Sequence, residues 1–523
     1  MEPQRRDFLK TLSGGALAPA LQTGAARNGK PNILIIMSDQ HRAGFTRRSG
    51  FAADTMPALD RMAARGVAFD RAYTTAPLCV PARISMLTGR WPHAHRVRQN
   101  SAPKHAYFEK DIFEVLKGAG YKTGLSGKNH SHLTPNKVDF WRPYSHLNGW
   151  MPEPAPKEFV DFEAWMKHLN FGVGQAPTPF PAETQFPHRI VSNAIEFLQG
   201  AGNQPFALWV SFPEPHNPYQ VPKPYFDMFP PDSVPPRHVG PEALKAKGFK
   251  YEWLGQLEER TYPGYDKYWR RTRSNYMGML RLIDDQVNRL IGHLEKSGTL
   301  DNTVILYLAD HGDYCTDYGL MRKGAGLPEL LTRIPMVWAG PGIRQQNNHP
   351  AFVSTADVLP TICEAAGAEV PHGVQGRSIW PLLEGKEYPR EEFETIYSEV
   401  GFGGLNYGPG DDINPNWGRI PGAPGAIPSF DELNPVTQSG NMKMVRRGDW
   451  KLIYDMMGNG ELYNLAQDPY ELKNLFGNPQ AAATQNQLMA DLLRWTIRTQ
   501  DDLPIAAYQD KWAKRNWYAS YKK

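Results

Sequence analysis

Short apolar runs interrupt an otherwise polar chain at residues 33–37, 206–210, 304–308 and 335–339. None alternates as a half-exposed strand would, and each has the length of a strand buried on both faces. Between the second and third runs, Leu280, Ile283, Val287, Leu290, Ile291 and Leu294 recur at helical spacing and form one apolar face. Apolar strands alternating with amphipathic helices predict an α/β fold, a mostly parallel sheet flanked by helices. Ligands of such sheets bind beyond the carboxyl ends of the strands. The residues just after each apolar run are therefore the first candidates for chemistry.

Further along, the pattern changes. Residues 213–241 are rich in proline, and residues 401–435 in Gly, Pro and Asn. Loops of that length in a compact domain either serve function or remain irregular surface excursions. Residues 442–446 and 450–454 then read as a hairpin around Arg447-Gly448-Asp449, and Leu488, Leu492, Trp495 and Ile497 as a helix. The expected organisation is an α/β domain over 30–395 and a smaller α+β C-terminal domain over 396–523, without internal repeats. Residues 1–29 read as an address. Arg5-Arg6 precede Asp7, Phe8, Leu9 and Lys10, a weakly apolar run follows, and the segment resembles a twin-arginine export signal. That run is shorter than the roughly 20 residues a membrane-spanning helix needs, and no later run reaches that length. The expectation is a protein exported to the periplasm or beyond, without a membrane span.

Of the 523 residues, 41% are hydrophobic and 21% charged, ordinary proportions for a soluble globular protein. A formal charge of +4 over this length gives no ground for a nucleic-acid partner, although local positive charge can still surround an anionic substrate. The three cysteines, Cys79, Cys315 and Cys363, make neither a disulfide framework nor a zinc spacing. Cys315 and Cys363 can pair or stay as two buried thiols; the second is preferred.

The segment Cys79-Val80-Pro81-Ala82-Arg83, followed by Thr88-Gly89-Arg90, carries the most information. Pro81 suits the first turn of a helix, which sets residue 79 at the positive end of the helix dipole. Arg83, one turn on, shares that face and is expected to hold an oxyanion beside residue 79. Asp39 follows the first apolar run and Asp310-His311 the third. Two carboxylates at equivalent strand ends suit a hard divalent cation, though an Asp after a strand also serves simply to cap a turn.

C-x-P-x-R is the signal by which the cysteine of the sulfatase family becomes Cα-formylglycine, and the chain resembles that family over about residues 31–475. Gly127-Lys128-Asn129-His130 resembles its G-K-x-H segment, Pro215-His216-Asn217-Pro218 its P-H-x-P turn, and Leu320-Met321-Arg322-Lys323 with Glu329 its later lysine loop. Asn100 occupies the family's Asn position, and Leu462-Tyr463-Asn464-Leu465 with Asp468-Pro469 and Glu471 matches its closing pattern. Gln40 stands where the family usually shows a second acidic residue, Asp310-His311 stands where it shows Asp-Asn or Asp-His, and the same Gln and His also occur in related phosphonate monoester hydrolases.

The resemblance implies an alkaline phosphatase/sulfatase-like α/β fold and one divalent metal ion held by Asp39, Gln40, Asp310 and His311. Calcium comes first, with manganese or magnesium open because of the histidine nitrogen. It implies a formylglycine hydrate at Cys79 as nucleophile, Arg83 and the metal easing its ionisation, and Lys128 and Lys323 balancing the sulfuryl charge. His216 or Lys323 would steady the departing oxygen, His130 would take the second hydroxyl's proton, and Asn100, Lys128, His216 and Lys323 would bind substrate. The implied partners are a sulfated small molecule or oligosaccharide and a formylglycine-generating enzyme during maturation. One rival is a phosphonate monoester or phosphodiester hydrolase, whose relatives carry Tyr and Thr where Lys128 and His130 stand. The other is a non-catalytic glycan-binding protein, opposed by the complete set of site residues.

Overall fold

The computed structural model describes residues 29–100, 103–324, 326–401 and 440–500. The arginine pair at 5–6 and nearly all of the loop at 401–435 lie outside them. From Pro31 the chain forms one compact unit. Its strands in chain order are β1 (Asn32–Asp39), β2 (Val67–Phe69), β3 (Ala72–Tyr73), β4 (Lys122–Lys128), β5 (Phe140–Tyr144), β6 (Phe206–Pro215), β7 (Thr303–Ala309), β8 (Arg333–Ile334), β9 (Met336–Ala339), β10 (Asn347–His349) and β11 (Val353–Ser354). Four more follow: β12 (Thr395–Val400), β13 (Met442–Arg447), β14 (Trp450–Asp455) and β15 (Gly460–Asn464).

An eight-stranded sheet runs in the order β10-β2-β9-β7-β1-β6-β4-β5. Strands β7, β1, β6, β4 and β5 pair in parallel, while β9 runs against both β7 and β2. The α/β expectation holds, with β9 as the exception that makes the sheet mixed. The apolar runs form its centre because both faces are covered. Leu34 and Ile36 of β1 enter one core with helices α2 (Phe186–Ala201) and α3 (Trp269–Lys296). Ile33, Ile35 and Met37 enter a separate core with α1 (Cys79–Thr88) and α4 (Val358–Ala366). Successive side chains of a strand point to opposite faces, so a strand between two cores must be apolar throughout.

Strand β4 escaped the reading of apolar runs. Its sequence, Lys-Thr-Gly-Leu-Ser-Gly-Lys, holds a single large apolar residue, yet it pairs in parallel with both β6 and β5. Gly127 explains how. Its φ is +120°, and a Cβ there would lie 1.9 Å from the Ser211 carbonyl oxygen of β6. Only glycine permits that approach, and the next residue is Lys128.

Strands β12-β13-β14-β15 form a separate antiparallel sheet with the expected hairpin. Helix α5 (Ala482–Gln500) buries Leu488, Leu492 and Trp495, whereas Ile497 is 62% exposed and contributes nothing to that core. A buried ionic cluster joins this sheet to the short helix Glu329–Thr332, which leads into β8 of a three-stranded sheet, β11-β3-β8. Glu329 meets Arg446 at 2.8 Å and Lys451 at 3.2 Å, and Lys451 meets Glu471 at 2.8 Å. The start of the proline-rich segment is no surface excursion: residues 213–222 are buried. All three cysteines are buried, and none is in a disulfide among the described residues. No described helix is long and apolar enough to cross a membrane.

Candidate active site

Adjacent strands deliver the site. β1 ends on Asp39, β7 leads into Asp310-His311, β4 ends on Lys128, and β6 leads into His216. Because β7, β1, β6 and β4 are neighbours running one way, these residues share one rim of the sheet. Helix α1 brings Cys79 to the same place as its first residue. Ligand atoms of Asp39, Cys79, Asp310 and His311 all lie within 4.8 Å of one another, and all four residues are buried. The Cys79 Sγ atom stands 3.2 Å from His311 Nε2 and 3.6 Å from Asp39 Oδ1.

Arg83 organises the carboxylates. Its Nε donates to Asp310 Oδ2 at 2.9 Å and its Nη2 to Asp39 Oδ2 at 3.2 Å. Its Nη1 donates to the Lys128 carbonyl at 3.0 Å and to Ser211 Oγ at 2.8 Å. With these donors directed at protein groups, Arg83 fixes the acids and the end of β4. Lys128 Nζ contacts Asp39 Oδ2 and lies 2.8 Å from His146 Nε2. Burial alone would push the Asp39 carboxyl up, but Lys128 and Arg83 outweigh it and hold it well below the usual carboxylate range.

The four converging groups suit a divalent cation. His311 Nδ1 bonds the Gly312 carbonyl at 2.9 Å, which leaves Nε2 with its lone pair toward the carboxylates. Burial lowers the His311 pKa to about 4, so the ring is neutral, as a ligand must be. Gln40 adjoins them with a left-handed backbone, φ 66°. Its backbone N–H donates to Asp310 Oδ1 at 2.9 Å, its Nε2 to Asp313 Oδ2 at 2.7 Å, and its Oε1 accepts from Lys323 Nζ at 3.0 Å. Lys323 Nζ also stands 3.2 Å from His216 Nε2, and His216 Nδ1 lies 2.7 Å from the Asn217 carbonyl. Asn100 Oδ1 accepts the Val80 N–H at 3.0 Å in the first turn of α1, and its buried Nδ2 has no hydrogen-bond partner. His130, half-buried with φ 42°, stands edge-on to His146 at 5.8 Å.

The structure thus brings Asp39, Gln40, Cys79, Arg83, Lys128, Asp310, His311, His216 and Lys323 into one linked set, with His130 and Asn100 at its border. Sequence reasoning missed Ser211, His146 and Asp313. Asp313 stands three residues after Asp310, a spacing that was a usable signal. Ser211 faces Arg83 from inside a buried strand, and His146 follows the half-exposed strand β5, so neither had one.

Comparison with known proteins gives this arrangement a context. A family model described as Sulfatase matches residues 31–368. The choline-sulfatase of Rhizobium meliloti is 28% identical over 480 residues, covering 88% of this chain and 85% of that protein. The Delta 4,5-hexuronate-2-O-sulfatase of Bacteroides thetaiotaomicron is 25% identical, with 90% of each chain covered. Among solved structures, the phosphonate monoester hydrolase of Agrobacterium radiobacter shares the fold with a TM-score of 0.72 at 23% identity, covering 90% of this chain and 96% of that one. The matched segment holds every side chain of the site, from Asp39 through Lys323, and the chain belongs to the sulfatase family of sulfuric ester hydrolases.

Proposed function

We propose that this protein hydrolyses a sulfate monoester carried on a carbohydrate, with a formylglycine made from Cys79 and one divalent metal ion. The observation that carries the reading is the convergence of the Cys79 thiol, two carboxylates and a neutral histidine at a helix start flanked by Lys128 and Lys323. Oxidised and hydrated, residue 79 supplies one hydroxyl to attack sulfur and a second whose deprotonation releases sulfate. A bound cation supplies charge that lowers the cost of ionising such a hydroxyl. Asp39, Asp310 and His311 would hold it, with Gln40 as fourth ligand; calcium is the first choice, manganese and magnesium the alternatives.

The other roles belong to the chain itself. Arg83 keeps the two carboxylates in register. Lys128 and Lys323 pair with the sulfuryl oxygens in a site away from bulk water. The Lys323–His216 contact keeps a proton shared beside the departing oxygen. His130 takes the second hydroxyl's proton, and the Asn100 amide donates to bound substrate. A sulfated oligosaccharide is supported by the hexuronate sulfatase among the relatives. The domains at 30–395 and 396–523, export through residues 1–29 and maturation by a formylglycine-generating enzyme complete the reading.

Gln40 and His311 also favour a second reading, phosphonate monoester hydrolysis, against which Lys128 stands. The test is threefold. Mass spectrometry of the peptide carrying residue 79 should find the aldehyde or its hydrate. Metal analysis should find one divalent ion per chain. Aryl sulfate hydrolysis should exceed phosphonate monoester hydrolysis in kcat/KM by roughly a hundredfold, about 2.7 kcal/mol of discrimination. Equal efficiencies would move the assignment to the second reading.

A further inference from the structure

His146 belongs to none of the motifs, yet it stands at the centre of the aromatic wall of the site. Its ring stacks on His216 at 3.8 Å between centroids, with 32° between planes. His130 meets it edge-on at 5.8 Å and Phe171 at 6.1 Å. Its Nε2 lies 2.8 Å from Lys128 Nζ. An ammonium only donates, so Nε2 must accept, and the ring's single proton then sits on Nδ1. Burial and the neighbouring His216 and Lys128 all hold the imidazole in the neutral form that this pairing requires.

The consequence is an N–H donor fixed in direction. Nδ1 is buried and has no hydrogen-bond partner. A buried donor left without an acceptor is destabilising, and an acceptor brought by substrate would relieve it. The ring that carries this donor meets Lys128 through Nε2 and His216 through its face, the two groups read above as gripping the sulfuryl group and steadying the departing oxygen.

We infer that His146 reads the alcohol half of the substrate, its Nδ1–H donating to an oxygen borne next to the sulfate ester. That deepens the proposed function, on which it rests, by naming the substrate class: sulfate esters with a neighbouring hydroxyl, as on a sugar ring. An alkyl, aryl or quaternary ammonium group at that position would leave the donor unsatisfied, and a site built around a hydrogen bond rejects an analogue lacking the acceptor.

The experiment pairs a deletion in the substrate with a deletion in the protein. The probes are the monosulfate of a vicinal trans-cyclohexanediol and plain cyclohexyl sulfate, with para-nitrophenyl sulfate as the control for any sulfatase activity. Wild-type protein should prefer the hydroxylated ester by about tenfold or more in kcat/KM. His146→Phe keeps an aromatic ring without the donor, and its loss on the hydroxylated ester should exceed its loss on the plain ester by about the same factor. His146→Asn, which retains a donor near the Nδ1 position, should restore part of the preference. Equal losses on the two esters would overturn the inference, as would turnover of neither ester by protein that hydrolyses para-nitrophenyl sulfate. If His146→Phe fails to fold, the wild-type comparison decides alone, and an absent preference refutes it. Failure on all three sulfates is a different result: the parent reading falls, and this one with it.

Discussion

Burial pushes the Cys79 thiol up to about 12, with Asp39 adding to the effect, so the unmodified side chain stays protonated at neutral pH and is a poor nucleophile. A hydroxyl in its place would have the same neighbours but no second oxygen. Cys79→Ser is therefore expected to take up at most one sulfate per chain and then stop, a stoichiometry readable by intact-mass measurement and by the absence of steady-state turnover. On the proposed reading, Lys128 would carry the choice between sulfate and phosphonate. Its ammonium, held by Asp39 and His146, suits the compact sulfuryl group better than one with a carbon substituent. Lys128→Ala should lose roughly a hundredfold in sulfatase kcat/KM, about 2.7 kcal/mol, and lose less on a phosphonate monoester. Equal losses on the two substrates would remove Lys128 from that role. Asp39, Cys79, Asp310 and His311 were legible in the sequence because each follows an apolar run or lies inside a spaced motif. Ser211 and His146 were not, since their positions depend on which strands pair, and no spacing along the chain encodes that.

Strand β4 is where an element, more than a side chain, decides the site. A methyl group at Gly127 would overlap the Ser211 carbonyl oxygen, and the backbone there lies in the left-handed half of φ. Gly127→Ala is expected to cost roughly 3 kcal/mol of stability through strain and the forced separation of β4 from β6. It should also displace Lys128 by its own chain, so activity falls further than the fraction of folded protein does. Denaturant titration alongside kcat measurement separates the two effects, and a stable, fully active variant would refute the argument. The same glycines hid β4 from a search for apolar runs. Strands β1, β6 and β7 were plain in the sequence because they lie between two cores. Strand β4 is held by close backbone approach, which leaves a glycine and no hydrophobic signature.

Across the whole molecule, the seam between the C-terminal sheet and the segment that starts at Glu329 rests on buried charge. Burial alone would push the Glu329 carboxyl up, but Lys451, Arg446 and Arg333 outweigh it and bring its pKa down to about 2. A carboxyl whose pKa falls on folding stabilises the protein fully above its unfolded value, near 4.5, and loses that contribution as pH falls toward the folded value. Stability should therefore decline between about pH 4.5 and pH 2, and Glu329→Gln should decline less over that window while starting lower at neutral pH. Parallel pH titrations of the denaturation midpoint would check both, and identical slopes would discount the seam. The hairpin of the second sheet was legible from its turn, whereas the seam was not, because Glu329 and Lys451 are far apart in sequence and carry ordinary polar patterning. Cys79 opens helix α1, all ten residues of which are buried, so the finished fold holds in place the whole segment that carries the atom to be altered for the proposed chemistry. On the proposed reading, oxidation is expected before folding, because a maturing enzyme cannot draw that segment out of the finished fold into its own active site. The maturing enzyme should rescue activity when supplied during refolding but not after it, and rescue of already folded protein would refute this order.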